Sequence, residues 1–232
     1  MGVIFTEILK RTLTPGTFVF VGFTLIVALL GDRLLLSHCD AYEAALIDEV
    51  THGLISAFAW MAVVANNLNF ELNGRSIVVE AMLALLFGVI PDLDHVLTTG
   101  TFDLRKMRRF HRKGRPFHSS TSIPVVALAL GLLRPFFRFR DKCRLFDSSK
   151  SIPVVALVLS SRTAMNLPWM SSLGIGLHHL RDATRRGVYL WPFGTTPPVP
   201  YNVYIVVTIT IPIIMKFIRV TMEIMAHSRR SV

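Results

Sequence analysis

Long apolar stretches, separated by short clusters of lysine and arginine, constrain this chain more than any other feature of its sequence. A helix needs about 20 mostly apolar residues to cross a bilayer, because the hydrocarbon core is about 30 Å thick and each residue rises about 1.5 Å. The stretches that meet or approach this length are residues 17–36, 52–65, 76–90, 119–133, 151–180 (as one or two segments) and 201–220. We therefore predict an all-α, polytopic transmembrane helix bundle with five to six spans, forming a single multi-pass membrane domain over residues 1–232.

The composition agrees with a lipid environment and excludes a nucleic-acid binder. Hydrophobic residues make up 52% of the sequence and charged residues 17%, with a mean hydropathy of +0.51, which is more apolar than a soluble surface normally tolerates. The net charge of +10 comes from basic residues that lie between the apolar stretches, as in the loops of membrane proteins. We expect an integral membrane protein, with an endomembrane location favoured, whose partners are membrane lipids and not nucleic acid.

Histidine and aspartate residues collect in four clusters, and each cluster lies at the end of an apolar stretch. The clusters are His52; Asp92, Asp94 and His95; His118; and His178 with Asp182. Successive spans run in opposite directions across a membrane. If 52–65, 76–90, 119–133 and 151–180 each cross once, all four clusters emerge on the same side. The sequence therefore predicts that they meet at one membrane face.

These residue types suit a divalent metal ion. Imidazole and carboxylate groups together bind zinc, iron or manganese, whereas the two cysteines lie too far apart in sequence to indicate a thiolate site. A metal with one open position lowers the pKa of a bound water towards about 7 and makes hydroxide available as a nucleophile. The predicted metal ligands are His52, Asp92, His95, His118 and His178. Asp94 and Asp182 are the predicted catalytic groups, acting as general base or orienting a ligating histidine.

The same residues also have a structural interpretation. Aspartate and histidine cap helix ends and interact with the helix dipole, and polar side chains inside a membrane pair helices with one another. Two functions therefore stay open: a metal-dependent hydrolase of a lipid or phosphoester, and a non-catalytic membrane scaffold or assembly factor. A transporter is disfavoured, because its polar residues would be expected near the middle of the membrane.

Three further features carry expectations. Asp32 and Arg33 interrupt the first apolar stretch, which favours a position at a helix end near the headgroups. The basic loop 103–116 either fixes the topology or binds an anionic headgroup. Residues 119–130 recur as 148–159 with ten of twelve positions identical, which leaves the number of spans in that region open.

Several motifs resemble the transmembrane protein 267 family of animals, which implies a multi-pass membrane protein. They are Gly31-Asp32-Arg33, Asp92-Leu93-Asp94-His95, Pro116-Phe117-His118, Ile123-Pro124-Val125-Val126, Leu167-Pro168-Trp169, His178-His179-Leu180-Arg181-Asp182 and Trp191-Pro192-Phe193-Gly194. More distantly, the order of the histidine and aspartate clusters is similar to that of the bacterial LexA-regulated membrane-bound metal-dependent hydrolases. That resemblance implies a metal-dependent hydrolase, although Phe117 stands where those proteins usually have threonine.

Overall fold

The computed structural model describes residues 2–37, 40–66, 74–93, 119–133 and 161–229. These residues form seven α-helices, one 3-10 turn at Ile90–Asp92 and one two-stranded antiparallel hairpin, β1 (Tyr189–Leu190) with β2 (Gly194–Thr195). The helices are α1 (Gly2–Thr12), α2 (Pro15–Leu36), α3 (Ala41–Val64), α4 (Gly74–Val89), α5 (Ser122–Leu132), α6 (Ser161–Arg186) and α7 (Tyr201–Ser228). The predicted all-α membrane bundle is confirmed.

Three of the described helices are long and apolar enough to cross a membrane: α2, α3 from Tyr42 onwards, and α7. The predicted count of five to six spans is higher than this. The predicted stretch 119–133 forms only the 11-residue α5, which is about 16 Å long and too short to cross a hydrocarbon core of about 30 Å. The stretch 151–180 is a single helix from Ser161 onwards, and the second copy of the repeat, 148–159, lies outside the described residues.

The distribution of polarity in the bundle is the one expected in lipid. The outer surfaces of α2 and α7 expose large apolar side chains, among them Phe18, Phe23, Ile26, Val206 and Ile214. A few charged side chains lie inside instead, and the fully buried set contains Arg181 and Lys216. A charged group is tolerated at such depth only when other groups in the bundle pair with it, and these two are paired. The described helices therefore form an integral membrane bundle.

Helix α3 begins at Ala41, so it extends well before the apolar stretch 52–65. Asp40 caps the helix, because its carboxylate accepts hydrogen bonds from the backbone amides of Tyr42 and Glu43. The side chain of Glu43 reaches back to the amide of Asp40 and completes a capping box. The first turns of α3 carry carboxylates and did not resemble a span, yet the helix runs through them.

The helices run in alternating directions between two ends of the bundle. Gly31 of α2 lies against Thr51 of α3, and Gly16 lies against Ala65, so these two helices are antiparallel neighbours. Arg181 of α6 and Tyr201 of α7 both contact Asp32, near the end of α2. We call the end of the bundle that contains Asp32, Arg181 and Tyr201 the polar end. Helices α2, α4 and α6 run towards it, whereas α3 and α7 run away from it.

Small residues bring α3 and α4 close together near the polar end. A Cβ atom at Gly88 would lie 2.7 Å from the carbonyl oxygen of His52, and one at Gly53 would lie 2.9 Å from Leu85 Cγ. Gly174 of α6 approaches Phe87 of α4 in the same way. Small residues allow helices to approach closely in membranes, where lipid removes much of the hydrophobic drive to associate. These contacts hold α3, α4 and α6 together where the histidines lie.

A second buried polar group, away from the polar end, surrounds Glu80, the single carboxylate of the third apolar stretch. Trp60 Nε1 donates to Glu80 Oε2 at 3.1 Å, and Asn166 Nδ2 donates to Glu80 Oε1 at 3.0 Å. Arg219 Nη2 donates to the side-chain Oδ1 of Asn166 at 3.1 Å, and the Arg219 guanidinium lies over the Trp60 ring at 5.1 Å from its centroid. Both Glu80 carboxylate oxygens are therefore satisfied, and the group joins α3, α4, α6 and α7.

Candidate metal centre

His52 lies in the middle of α3 and is buried. Its neighbour Thr51 packs against Gly31 near the end of α2, so His52 is close to the polar end of the bundle. Its Nε2 atom is 3.7 Å from Asp48 Oδ1 and 3.8 Å from Asp182 Oδ1, distances too long for hydrogen bonds. Its ring stacks on that of His178, with centroids 4.0 Å apart. Both ring nitrogens of His52 are buried without a hydrogen-bond partner among the described residues. One such group costs about 1–3 kcal/mol, so this arrangement calls for a ligand.

His178 of α6 is oriented by the backbone of α4. Its Nδ1 atom lies 2.8 Å from the carbonyl oxygen of Gly88. Because a carbonyl oxygen can only accept, Nδ1 carries the hydrogen, and Nε2 is left with its lone pair. That Nε2 atom faces Asp92 Oδ1 at 3.8 Å. A backbone carbonyl that fixes the tautomer of an imidazole in this way is the usual support of a metal-ligating histidine.

The cluster carries an excess of negative charge. The carboxylates that surround the two histidines or pair with their neighbours are Asp32, Asp48, Asp92 and Asp182, and the cations that contact this group are Arg181, Arg185 and Arg186. With these groups ionised, four negative charges face three positive charges. A bound cation would offset this surplus, which is costly to leave in a buried site.

The donor atoms fit a metal ion in kind and approximately in spacing. Two groups have their donor atoms within 4.8 Å of one another: His52, Asp92 and His178, and Asp48, His52 and Asp182. Ligand atoms about 2.0–2.2 Å from a tetrahedral zinc ion would be about 3.3–3.6 Å apart. The His52–Asp48, His52–Asp182 and His178–Asp92 separations of 3.7–3.8 Å are slightly wider, and all other donor pairs in the two groups lie within 4.8 Å, so the donors would have to move inward to hold an ion. The nitrogen and oxygen donors suit zinc, iron or manganese.

Two arginines of α6, Arg181 and Arg185, form ion pairs with the carboxylates next to His52 and with Asp32. Arg181 is buried and binds Asp32, with Arg181 Nη2 2.9 Å from Asp32 Oδ1, and it also forms an ion pair with Asp48. Arg185 bridges Asp48 and Asp182. Asp32 is thus paired with a residue of another helix, so the expectation that it simply marks a helix end near the headgroups is incomplete.

The structure brings four of the predicted site residues together: His52, Asp92, His178 and Asp182. The predicted residues Asp94, His95 and His118 lie outside the described residues. The neighbour of His118 is described, and its surroundings place the start of α5 at the polar end: Ser119 Oγ accepts from the amide of Trp191, and Ser120 Oγ lies 3.4 Å from His179 Nδ1. The metal and catalytic roles of all these residues stay predictions.

Sequence reasoning missed Asp48, Glu49, Arg181 and Arg185 as neighbours of the site. A signal was present, because Asp48 and His52 are four residues apart and therefore share one helical face, as do His178 and Asp182. Arg181 and Arg185 show the same spacing. Asp48 and Glu49 were missed because the second apolar stretch was predicted to begin at His52, which placed both residues outside the helix.

The bundle and its buried histidine and aspartate cluster define a multi-pass membrane protein with a candidate metal centre. The family model described as YdjM inner membrane protein matches residues 47–232. Transmembrane protein 267 of Xenopus laevis is 34% identical over 174 residues, covering 75% of this chain and 68% of the relative. The proteins of that name from Bos taurus and Mus musculus are each 30% identical and cover 81% and 83% of this chain, with 75% and 78% of their own lengths matched.

On both comparisons the chain belongs to the YdjM and transmembrane protein 267 family of integral membrane proteins. The resemblance to transmembrane protein 267 read from the motifs is thereby confirmed. No solved structure matches the chain.

Proposed function

We propose that this protein is a metal-dependent hydrolase that acts on a lipid or a phosphoester at the polar end of the bundle. The observation that carries the proposal is His52, a buried imidazole with neither ring nitrogen hydrogen-bonded among the described residues and with carboxylates on its Nε2 side. A residue with a structural role alone would satisfy these atoms. A metal ligand has to keep one of them available.

The roles follow from the geometry. His52 is a proposed ligand in either donor group, with Asp92 and His178 in one and with Asp48 and Asp182 in the other, and the sequence-predicted His95 and His118 are proposed beside them. A divalent cation at this site would supply a water of lowered pKa as the nucleophile. The Gly88 carbonyl accepts from Nδ1 and so holds the neutral His178 imidazole in the tautomer that has its lone pair on Nε2. Asp182, 3.8 Å from His52 Nε2, is placed to orient that imidazole or to accept a proton.

A membrane scaffold is the second candidate, and Arg181 is the observation that favours it. From α6, Arg181 joins Asp32 of α2 to Asp48 of α3, and the Glu80 group joins four helices in a similar way. In this interpretation the polar residues hold the bundle together and do no chemistry. The cluster lies at the ends of α2, α4 and α6 but at the middle of α3, so the expectation that its residues all lie at span ends, which disfavoured a transporter, is wrong for His52.

Metal analysis of the purified protein separates the two candidates. The protein would be prepared in detergent without chelators, titrated with zinc, iron(II) or manganese, and compared with His52→Ala, Asp92→Asn and His118→Ala. His179→Ala is the matched control, because this neighbouring histidine faces Ser120 and lies outside both donor groups. A hydrolase should hold about one equivalent of metal, lose it in the first three variants and keep it in the control.

Metal-loaded protein should then hydrolyse phosphoester-bearing lipids or soluble phosphoesters, and His52→Ala should not. Wild-type protein that takes up no metal on titration would remove the hydrolase proposal and leave the scaffold.

A further inference from the structure

The guanidinium group of Arg185 lies between two carboxylates of the candidate site. Its Nη2 atom is 2.7 Å from Asp182 Oδ1 and 2.9 Å from Asp48 Oδ2. Asp182 Oδ1 is also the atom that lies 3.8 Å from His52 Nε2, and Asp48 Oδ1 lies 3.7 Å from the same nitrogen. The positive charge of Arg185 therefore sits against the carboxylates that complete the second donor group, in the way a bound cation would.

We propose that Arg185 is the phosphate-binding residue of this site, and that it is released for that role when a divalent cation takes over Asp48 and Asp182. The inference rests on the proposed function, since it needs a metal ion held by the second donor group, Asp48, His52 and Asp182, in which Asp182 is a ligand and not a proton acceptor. It names the substrate class more narrowly: a phosphate monoester or diester.

Competition between the two cations is the first step of the argument. A carboxylate oxygen that coordinates a metal ion gives up most of its capacity to accept a hydrogen bond from a guanidinium group. A doubly charged ion also repels the positive charge of Arg185 at contact distance. Metal binding and the Arg185 bridge therefore oppose each other. Asp48 and Asp182 can bind either the metal ion or the Arg185 guanidinium group, but not both at once.

Exposure selects Arg185 over Arg181 for this role. The side chain of Arg181 is 2% exposed and is also tied to Asp32, so it stays in place when Asp48 changes partner. The side chain of Arg185 is 42% exposed and lies in the last turn of α6, so it can turn outward without leaving a buried charge behind. A guanidinium group binds phosphate through two parallel hydrogen bonds, which is the strongest of its common pairings.

The first arm of the test measures metal affinity. Manganese would be titrated into wild-type protein and Arg185→Gln, with Arg186→Gln as the matched control, since Arg186 contacts Asp182 only at 3.6 Å and is equally exposed. Removing the competing cation should tighten manganese binding in Arg185→Gln by about tenfold, given the usual strength of a charged hydrogen bond. Arg186→Gln should change the affinity much less. Unchanged or weaker manganese binding in Arg185→Gln would overturn the inference.

The second arm measures phosphate binding to the manganese-loaded protein. Inorganic phosphate should bind to wild-type protein and bind about tenfold or more weakly to Arg185→Gln. Vesicles containing phosphatidic acid, compared with glycerol phosphate in solution, distinguish a lipid phosphate from a soluble one. Phosphate that binds equally well to both proteins would contradict the assignment.

Two controls keep the outcomes separate. Arg185→Lys keeps the competing charge but loses the paired hydrogen bonds, so it should bind manganese like the wild type and phosphate more weakly. It replaces Arg185→Gln in the phosphate measurement if that variant does not fold. Wild-type protein that binds manganese while Arg185 variants change nothing refutes only the inference. Wild-type protein that binds no metal refutes the proposed function with it.

Discussion

Gly88 connects helix packing to the candidate metal centre, and Gly88→Ala tests that connection. A Cβ atom at this position would lie 2.3 Å from Ser56 Oγ and 2.7 Å from the carbonyl oxygen of His52. The serine hydroxyl can rotate away, but the carbonyl belongs to the backbone of α3. An ordinary carbon–oxygen contact is about 3.3 Å or longer, so the two helices must separate by about 0.6 Å or more. The Gly88 carbonyl that orients His178 moves with α4.

The expected magnitude combines two opposing effects. Overpacking costs about 1–3 kcal/mol, whereas alanine is a better helix former than glycine by about 1 kcal/mol, so the net loss of stability should be about 0–2 kcal/mol. Disturbing the group that orients a ligating histidine typically lowers metal affinity about 10- to 100-fold. Calorimetric titration with metal measures the metal affinity, and unfolding in detergent measures the loss of stability.

Gly22→Ala is the matched control for this prediction. It is also a helical glycine, but a Cβ atom there would meet nothing within 4 Å. This variant should keep the metal affinity of the wild type and be equally or slightly more stable. Gly88→Ala protein with wild-type metal affinity and stability would refute the argument that close approach of α3 and α4 positions His178.

Two other predictions concern charged residues. Arg181→Gln should lower the free energy of unfolding in detergent by about 3 kcal/mol, because it leaves Asp32 and Asp48 without their buried partner. Arg186→Gln removes a more exposed ion pair and should lower the free energy of unfolding by less than about 1 kcal/mol. Equal losses of stability in the two variants would contradict the assigned role of Arg181 as the buried partner of Asp32 and Asp48. The backbone amides of Glu43 and Tyr42 lower the pKa of Asp40 from its usual 3.8. The cap should therefore stabilise α3 fully above pH 4 and be lost as the pH falls through the lower folded pKa. Carboxyl chemical shifts should follow this titration, and Asp40→Asn should remove the pH dependence of the α3 start.

The sequence predicted the fold class because the signal is local. A run of apolar residues such as 17–36 fixes a membrane helix by its length, and α2 was predicted within two residues of its start. The alternation of helix direction follows from the same runs, and it correctly predicted that His52, Asp92 and His178 lie at one end of the bundle. Helix lengths were predicted less well where charges interrupt the pattern, as at the start of α3.

The partners of the charged residues came only from the tertiary structure. Nothing in the local sequence shows that Arg181 pairs with Asp32, 149 positions away, or that the Gly88 carbonyl orients His178. Such contacts depend on which helices are neighbours and on their axial register. Small residues that let helices approach closely set both. The sequence alone therefore determined the membrane class and the residue types of the candidate site. Helix packing decided which donor atoms of that site face one another, because side chains far apart in sequence meet only when whole helices have docked.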